Sequence, residues 1–127
     1  MADSEHRVLD LPLMSFAIEQ EIAKLKASDQ WRRESRAAVT LVKNPGTTIV
    51  LIALHPGAVL KKHHAEGPIT VAVMEGEIRF KAGGEELVLR HGGLLALGDA
   101  IQHEVEAIEE SAFVLTVNHA AKHLAGC

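Results

Sequence analysis

Residues 57–68 read GAVLKKHHAEGP, and residues 92–103 read GGLLALGDAIQH. Each stretch opens on glycine and places histidine beside a short run of apolar residues. A β-barrel builds a site for a metal ion or a small molecule by bringing such side chains to one interior. The two stretches therefore predict a barrel with its site at the histidines, whereas the remaining sequence has the character of a scaffold.

Short β segments separated by turn residues follow one another from residue 36 to residue 117. The predicted strands are Ala37–Val42, Thr47–Leu54, Ile69–Met74, Ile78–Lys81, Leu87–Leu89, Leu94–Leu97, His103–Ile108 and Phe113–Val117. Asn44-Pro45-Gly46, Gly83-Gly84 and Gly92-Gly93 are turn signals between them. Short strands with no helical pattern between them predict an antiparallel sandwich or barrel.

A helical pattern precedes the strands. Apolar residues recur at three- and four-residue spacing from Met14 to Leu25, with charged residues between them. Pro12 suits the start of this helix, because the first turn has no partner for a backbone N–H. The apolar stripe must pack on its own barrel or on a second subunit. We expect three regions, with the polar segment and helix in residues 1–35, the barrel in 36–119 and a tail in 120–127.

Composition points to one soluble domain of 127 residues. The net charge is −4 and basic residues occur only in short runs such as Arg32-Arg33, which argues against a nucleic-acid partner. No apolar run approaches the ~20 residues of a membrane-spanning helix, so we expect no membrane partner. The single cysteine, Cys127, cannot form an intramolecular disulfide, and we expect a cytoplasmic location.

The two histidine stretches resemble the paired motifs of the cupins. Gly57, His63 and Gly76 match the first motif, which runs from a glycine through two histidines and a glutamate to a closing glycine. Gly92 and His103 match the ends of the second motif. The resemblance covers residues 39–117. It implies an all-β fold, a small antiparallel β-barrel of jelly-roll type, with the N-terminal amphipathic helix packed outside it.

The chain departs from the cupin pattern at two of the four metal-ligand positions. The second histidine falls on Ala65 and the glutamate on Ile69, so the resemblance leaves His63 and His103 as metal ligands. Two imidazoles bind a divalent ion weakly, since stable sites have three or four protein ligands. His64 becomes a third ligand only if the strand bulges, because neighbours in a regular strand point to opposite faces. We expect at most a low-affinity transition metal, one of Zn, Ni, Mn or Fe.

Alternating residues should line the barrel interior. His103 alternates with Glu104 and shares its face with Val105, which predicts an inward imidazole. The alternative is a buried histidine that only makes hydrogen bonds within the core. The expected interior residues are Ile52, Leu54, Val71, Val73, Leu95, Leu97, Val105 and Leu115. The predicted ligand pocket comprises Gln102, Val71, Leu97 and Val105 beside the histidines.

Three functions fit this sequence. The first is a cupin-fold protein that binds a small, weakly polar molecule at the histidines. The second is a metal-dependent cupin enzyme of dioxygenase or isomerase type that uses His63 and His103, although the missing ligands count against it. The third is a structural or sensing module. The helix stripe and the apolar strand Thr47–Leu54 offer more hydrophobic surface than one barrel needs to cover, so we expect a homodimer.

Overall fold

A computed structural model describes residues 11–63, 67–98 and 101–119, without the side chains of Lys62 and His63. Two short helices precede nine strands in this part of the chain. The elements are α1 (Ile18–Lys26), α2 (Asp29–Arg33), β1 (Arg36–Lys43), β2 (Thr47–Leu54), β3 (Val59–His63), β4 (Ile69–Glu75), β5 (Glu77–Ala82), β6 (Glu85–Arg90), β7 (Leu94–Leu97), β8 (His103–Ala107) and β9 (Ser111–Asn118). The predicted strands are all present, and β3 is an additional strand.

The strands form two antiparallel sheets that face each other. One sheet has five strands in the order β1-β2-β9-β4-β7, and the other has four in the order β3-β8-β5-β6. Consecutive strands repeatedly cross from one sheet to the other, which is the jelly-roll arrangement predicted from the sequence. Twelve buried residues form the cluster between the sheets. The eight interior residues predicted from alternation all belong to it or pack against it.

The helices lie on the outside of the five-stranded sheet. Ile22 and Leu25 of α1 and Trp31 of α2 are buried in a second cluster with Leu51 and Ala53 of β2. The helix stripe therefore packs on its own barrel, one of the two alternatives left by the sequence. The helix stripe and strand Thr47–Leu54, the two apolar surfaces from which we expected a homodimer, thus pack against each other within one chain.

The helix begins later than Pro12, which corrects the sequence-based boundary. Leu11 and Leu13 are 60% and 87% exposed, and α1 starts at Ile18. A short helix in water depends on packing of its apolar face, and the exposed Leu11 and Leu13 lack that packing. A second helix, α2, was not predicted. Its N-cap is Ser28, whose hydroxyl accepts a hydrogen bond from the backbone N–H of Trp31.

Lys26 connects the end of α1 to the barrel. Its ammonium group forms ion pairs with Glu75, at the end of β4, and with Glu110, in the turn before β9. Partial burial opposes the charge on Lys26, but the hydrogen bonds to Glu110 and Glu75 outweigh it and raise the pKa of the ammonium group. No helix in the described part of the chain is both long and apolar enough to cross a membrane.

Candidate functional site

His103 is the first residue of β8 and one of two buried polar residues among those described, the other being Ser111. It is 4% exposed, and Val105 two positions on is 3% exposed, so the imidazole faces inward as the alternation predicts. Its ring lies parallel to that of Phe80, with 5.5 Å between the centroids. Nδ1 lies 3.3 Å from the carbonyl oxygen of Ile101. In the tautomer that carries its proton on Nδ1, the imidazole can donate that proton to the Ile101 oxygen.

His63 ends β3 directly opposite His103 in the antiparallel ladder. Leu60 pairs with Val105, and the register shifts by one residue before His63 pairs with His103. An undisturbed ladder would have placed Lys62 opposite His103. The shift is a β-bulge, a feature common at barrel rims and next to sites. It gives His63, rather than a lysine, the position across from the buried imidazole.

The described residues do not reproduce a cupin-type metal site. Ile69 stands where the cupin motif has its glutamate, and it is 2% exposed within the interior cluster. A hydrocarbon side chain cannot coordinate a metal. No group of three histidine, cysteine, aspartate or glutamate side chains in the described ranges is arranged to hold one. His64, Ala65 and Glu66 lie outside the described residues. With a hydrocarbon at the glutamate position, the described side chains do not make up a four-ligand centre.

A depression of about 510 Å³ opens beside His103. It lies where the β5–β6 hairpin meets the segment that enters β8, and its lining consists of Lys81, Ala82, Gly83, Gly84, Glu85, Glu86, Ile101, Gln102, His103 and Glu104. Gln102, one of the predicted pocket residues, lines it. Val71, Leu97 and Val105, the other three, belong to the interior cluster or pack against it.

Glu85 also lines this depression and is not among the residues predicted for the site. Part of its position could be predicted from the Gly83-Gly84 turn. A two-residue hairpin loop fixes the pairing of the residues on either side, here Ala82 with Glu85. Ala82 also pairs with His103. The turn thus predicts the Ala82–Glu85 pair, whereas the pairing that brings this pair beside His103 joins strands distant in the sequence.

The other described histidines lie elsewhere. The ring of His55 stacks on that of Trp31 with 3.5 Å between centroids, and its Nε2 lies 2.9 Å from the Trp31 carbonyl oxygen. His55 thus packs against α2 and is not among the residues that line the depression. His91 is exposed at the turn before β7. His119 lies 2.9 Å from the hydroxyl of Thr48.

Solved structures with the same fold are numerous, whereas no protein-family profile and no curated protein sequence matches the chain. An RmlC-like cupin from Shewanella frigidimarina aligns with a TM-score of 0.64 and 20% identity over 71% of this chain and 81% of that one. A cupin 2 conserved barrel domain protein from Leptotrichia buccalis gives 0.65 and 24% over 68% of this chain and 42% of that one.

A variant of salicylate 1,2-dioxygenase from Pseudoaminobacter salicylatoxidans aligns with a TM-score of 0.74 and 14% identity. The alignment covers 93% of this chain but 39% of the dioxygenase, so this chain corresponds to less than half of that enzyme. Identities at this level establish the fold alone. The resemblance read from the two histidine stretches is therefore confirmed as architecture: this chain has the cupin fold, a jelly-roll barrel with helices on the outside.

Proposed function

We propose that this chain is a small-molecule-binding protein of cupin fold whose ligand occupies the depression at His103. The observation that carries the proposal is a buried imidazole, 4% exposed, on the wall of a depression of about 510 Å³. Small-molecule pockets have volumes of roughly 300–1,000 Å³ and combine apolar walls with a few placed polar groups. Here Ala82 and Ile101 are apolar, while His103 and Gln102 supply hydrogen-bonding groups.

His63 is the second histidine of the proposed site. Its pairing opposite His103 supports this role, because directly opposed positions of an antiparallel pair share one face of the sheet. His64 remains the candidate for a third metal ligand, provided that the strand bulges at this point. Binding of a transition metal by these histidines would be weak, since Ile69 contributes no donor atom. We therefore favour ligand binding over the metal-dependent enzyme, although the dioxygenase neighbour is an enzyme and another structure of that protein is a complex with gentisate.

A thermal-shift screen tests this function. The panel comprises neutral, anionic and cationic small molecules, gentisate among them, together with zinc, nickel and manganese salts. A ligand at a hundred times its dissociation constant stabilises the folded state by about 2.7 kcal/mol, which gives a shift of several degrees. We expect a hit on the native chain that is lost in His103→Ala and retained in His91→Ala, whose histidine is exposed.

Two outcomes of the screen would count against the proposal. Hits that persist unchanged in His103→Ala would place the ligand elsewhere. A His103-dependent shift produced by a metal at micromolar concentration, with none from the organic compounds, would favour the metal-dependent alternative.

We also infer a homodimer, on a surface different from the one that the sequence suggested. The outer-face positions of β4 and β7 are occupied by Thr70, Ala72, Leu94 and Ala96, none of them charged. Leu94 is 71% exposed. Light scattering should give twice the 13.7 kDa mass of the chain. Leu94→Glu should return the monomer, whereas Ile108→Glu, in the exposed turn between β8 and β9, should not. A monomeric native chain would contradict the dimer.

The cytoplasmic location stays a prediction.

A further inference from the structure

A row of four paired positions crosses the four-stranded sheet at the depression. His63 pairs with His103, His103 with Ala82, and Ala82 with Glu85. Directly opposed positions share a face of the sheet, so the row places Glu85 on the same face as the buried imidazole. Adjacent strands lie about 4.8 Å apart, which separates the backbones at His103 and Glu85 by about 10 Å.

The position between His103 and Glu85 carries only a methyl group. Ala82 gives the row a small apolar floor. Ile101, which is 36% exposed, provides an apolar wall, and its Cγ2 atom lies 4.0 Å from where a Cβ would stand on Gly83. An apolar group of a ligand therefore fits above Ala82, with an imidazole at one end and a carboxylate at the other.

The charges around the depression favour a cation. Its lining includes three glutamates, Glu85, Glu86 and Glu104, and one lysine, Lys81. Arg79 already binds Glu86, with 3.0 Å between Nε and Oε2. Lys81 pairs in register with Glu86 and Glu104, on the face opposite to Ala82. Glu85 is exposed and none of the ion pairs among the described residues involves it, so its carboxylate is accessible to a ligand in the depression.

We propose that the ligand is a small organic cation with an apolar body. Its ammonium group contacts the Glu85 carboxylate, its apolar body covers Ala82 and Ile101, and its far end reaches His103. A charge-assisted hydrogen bond to a carboxylate supplies orientation as well as affinity. This inference rests on the proposed function, because it assigns a chemical class to the ligand of the same depression.

Three probes of one shape test the charge requirement. Benzylammonium, benzyl alcohol and benzoate share a benzene ring and carry a positive, a neutral and a negative group. Each is titrated into ¹⁵N-labelled protein while amide shifts are recorded. We expect benzylammonium to shift the amides of residues 82–86 and 101–104 and to bind more tightly than the other two probes. Its affinity should weaken with added salt, since the pair is partly exposed.

A charge-removing substitution provides the matched test. Glu85→Gln should raise the dissociation constant of benzylammonium by roughly three- to tenfold, as for a partly exposed ion pair. Glu34→Gln, an exposed glutamate at the C-cap of α2, should leave it unchanged. If benzyl alcohol or benzoate shifts the same amides at least as strongly, the cation is the wrong class while the histidine site stands. If no probe shifts them, or if Glu85→Gln has no effect, the role of Glu85 is overturned. The wider screen still decides the proposed function.

Discussion

The two ends of strand β5 are built in opposite ways. At its start, the turn at Gly76 packs against Ser111, which is 0% exposed. The hydroxyl of Ser111 accepts a hydrogen bond from the N–H of Glu77 and lies 2.7 Å from the carbonyl oxygen of Glu109. At the other end, the turn at Gly84 has open space around it, and the buried polar residue, His103, borders a depression.

The difference separates a structural polar group from a candidate binding group. A buried hydroxyl held between backbone groups has a complete structural explanation, since burial of an unpaired polar atom would cost free energy. The buried imidazole of His103 also has structural contacts, with the Phe80 ring and the Ile101 carbonyl oxygen, but in addition it lines a depression that can hold a ligand. We therefore assign stability to the Gly76 end, and the proposed ligand binding belongs to the Gly84 end.

A pair of glycine substitutions should give the largest difference between the ends. Both residues have positive φ angles, 82° for Gly76 and 80° for Gly84. A Cβ on Gly76 would lie 2.2 Å from the carbonyl oxygen of Glu110, whereas nothing lies within 4 Å of one on Gly84. Gly76→Ala should lower the free energy of unfolding by roughly 2–5 kcal/mol, from backbone strain plus overpacking. Gly84→Ala should lower it by about 1–2 kcal/mol, from strain alone.

Urea denaturation of the two variants measures this contrast. Equal losses of stability at the two positions would show that the Gly84 end is packed as tightly as the Gly76 end. The distinction between the ends would then fail.

Ser111→Ala should have the next largest effect, and on stability alone. Removing the hydroxyl leaves the N–H of Glu77 without its acceptor. We expect a loss of about 1–3 kcal/mol in the free energy of unfolding. Affinity for the compound found in the thermal-shift screen should not change, as measured by calorimetry below the melting temperature of the variant. A weaker affinity in Ser111→Ala would mean that the two ends of β5 are not independent.

Lys26→Met should have the smallest effect, again at the Gly76 end. The ion pairs with Glu75 and Glu110 contribute at most about 1 kcal/mol, because solvent screens partly exposed charges. Folding raises the pKa of Lys26 above its unfolded value of about 10.5. The stabilisation by the ion pairs is therefore complete at pH values below the unfolded pKa and is lost as the pH rises through the folded pKa. The difference in unfolding free energy between the native chain and the variant should therefore shrink over the pH range above the unfolded value of about 10.5. A difference that does not change across this range would contradict the assignment.

The fold was predictable because its signals are local. Strands β2 and β7 have the bounds Thr47–Leu54 and Leu94–Leu97 that apolar runs and turn residues indicated. The inward position of His103 followed from alternation with Glu104. Strand β3 is not among the predicted strands, and its two lysines, Lys61 and Lys62, suit its position at the edge of the smaller sheet.

The site was less predictable because it depends on register. The bulge between Leu60 and His63 decides which residue lies opposite His103, and no local pattern in β3 marks it. The start of α1 at Ile18 depends on what the helix packs against, which also lies far away in the sequence. Glu85 is an intermediate case, since the Gly83-Gly84 turn fixes its partner once the hairpin is recognised.

Direct observation of the imidazole groups provides the most direct test of the binding site. Long-range ¹H–¹⁵N spectra of the histidine rings resolve each imidazole as the strongest compound of the thermal-shift screen is added. We predict that the ring nitrogens of His103 shift in proportion to the bound fraction, while those of the exposed His91 stay in place. Saturated binding that leaves the His103 ring signals unchanged would contradict a ligand site at this end of the barrel.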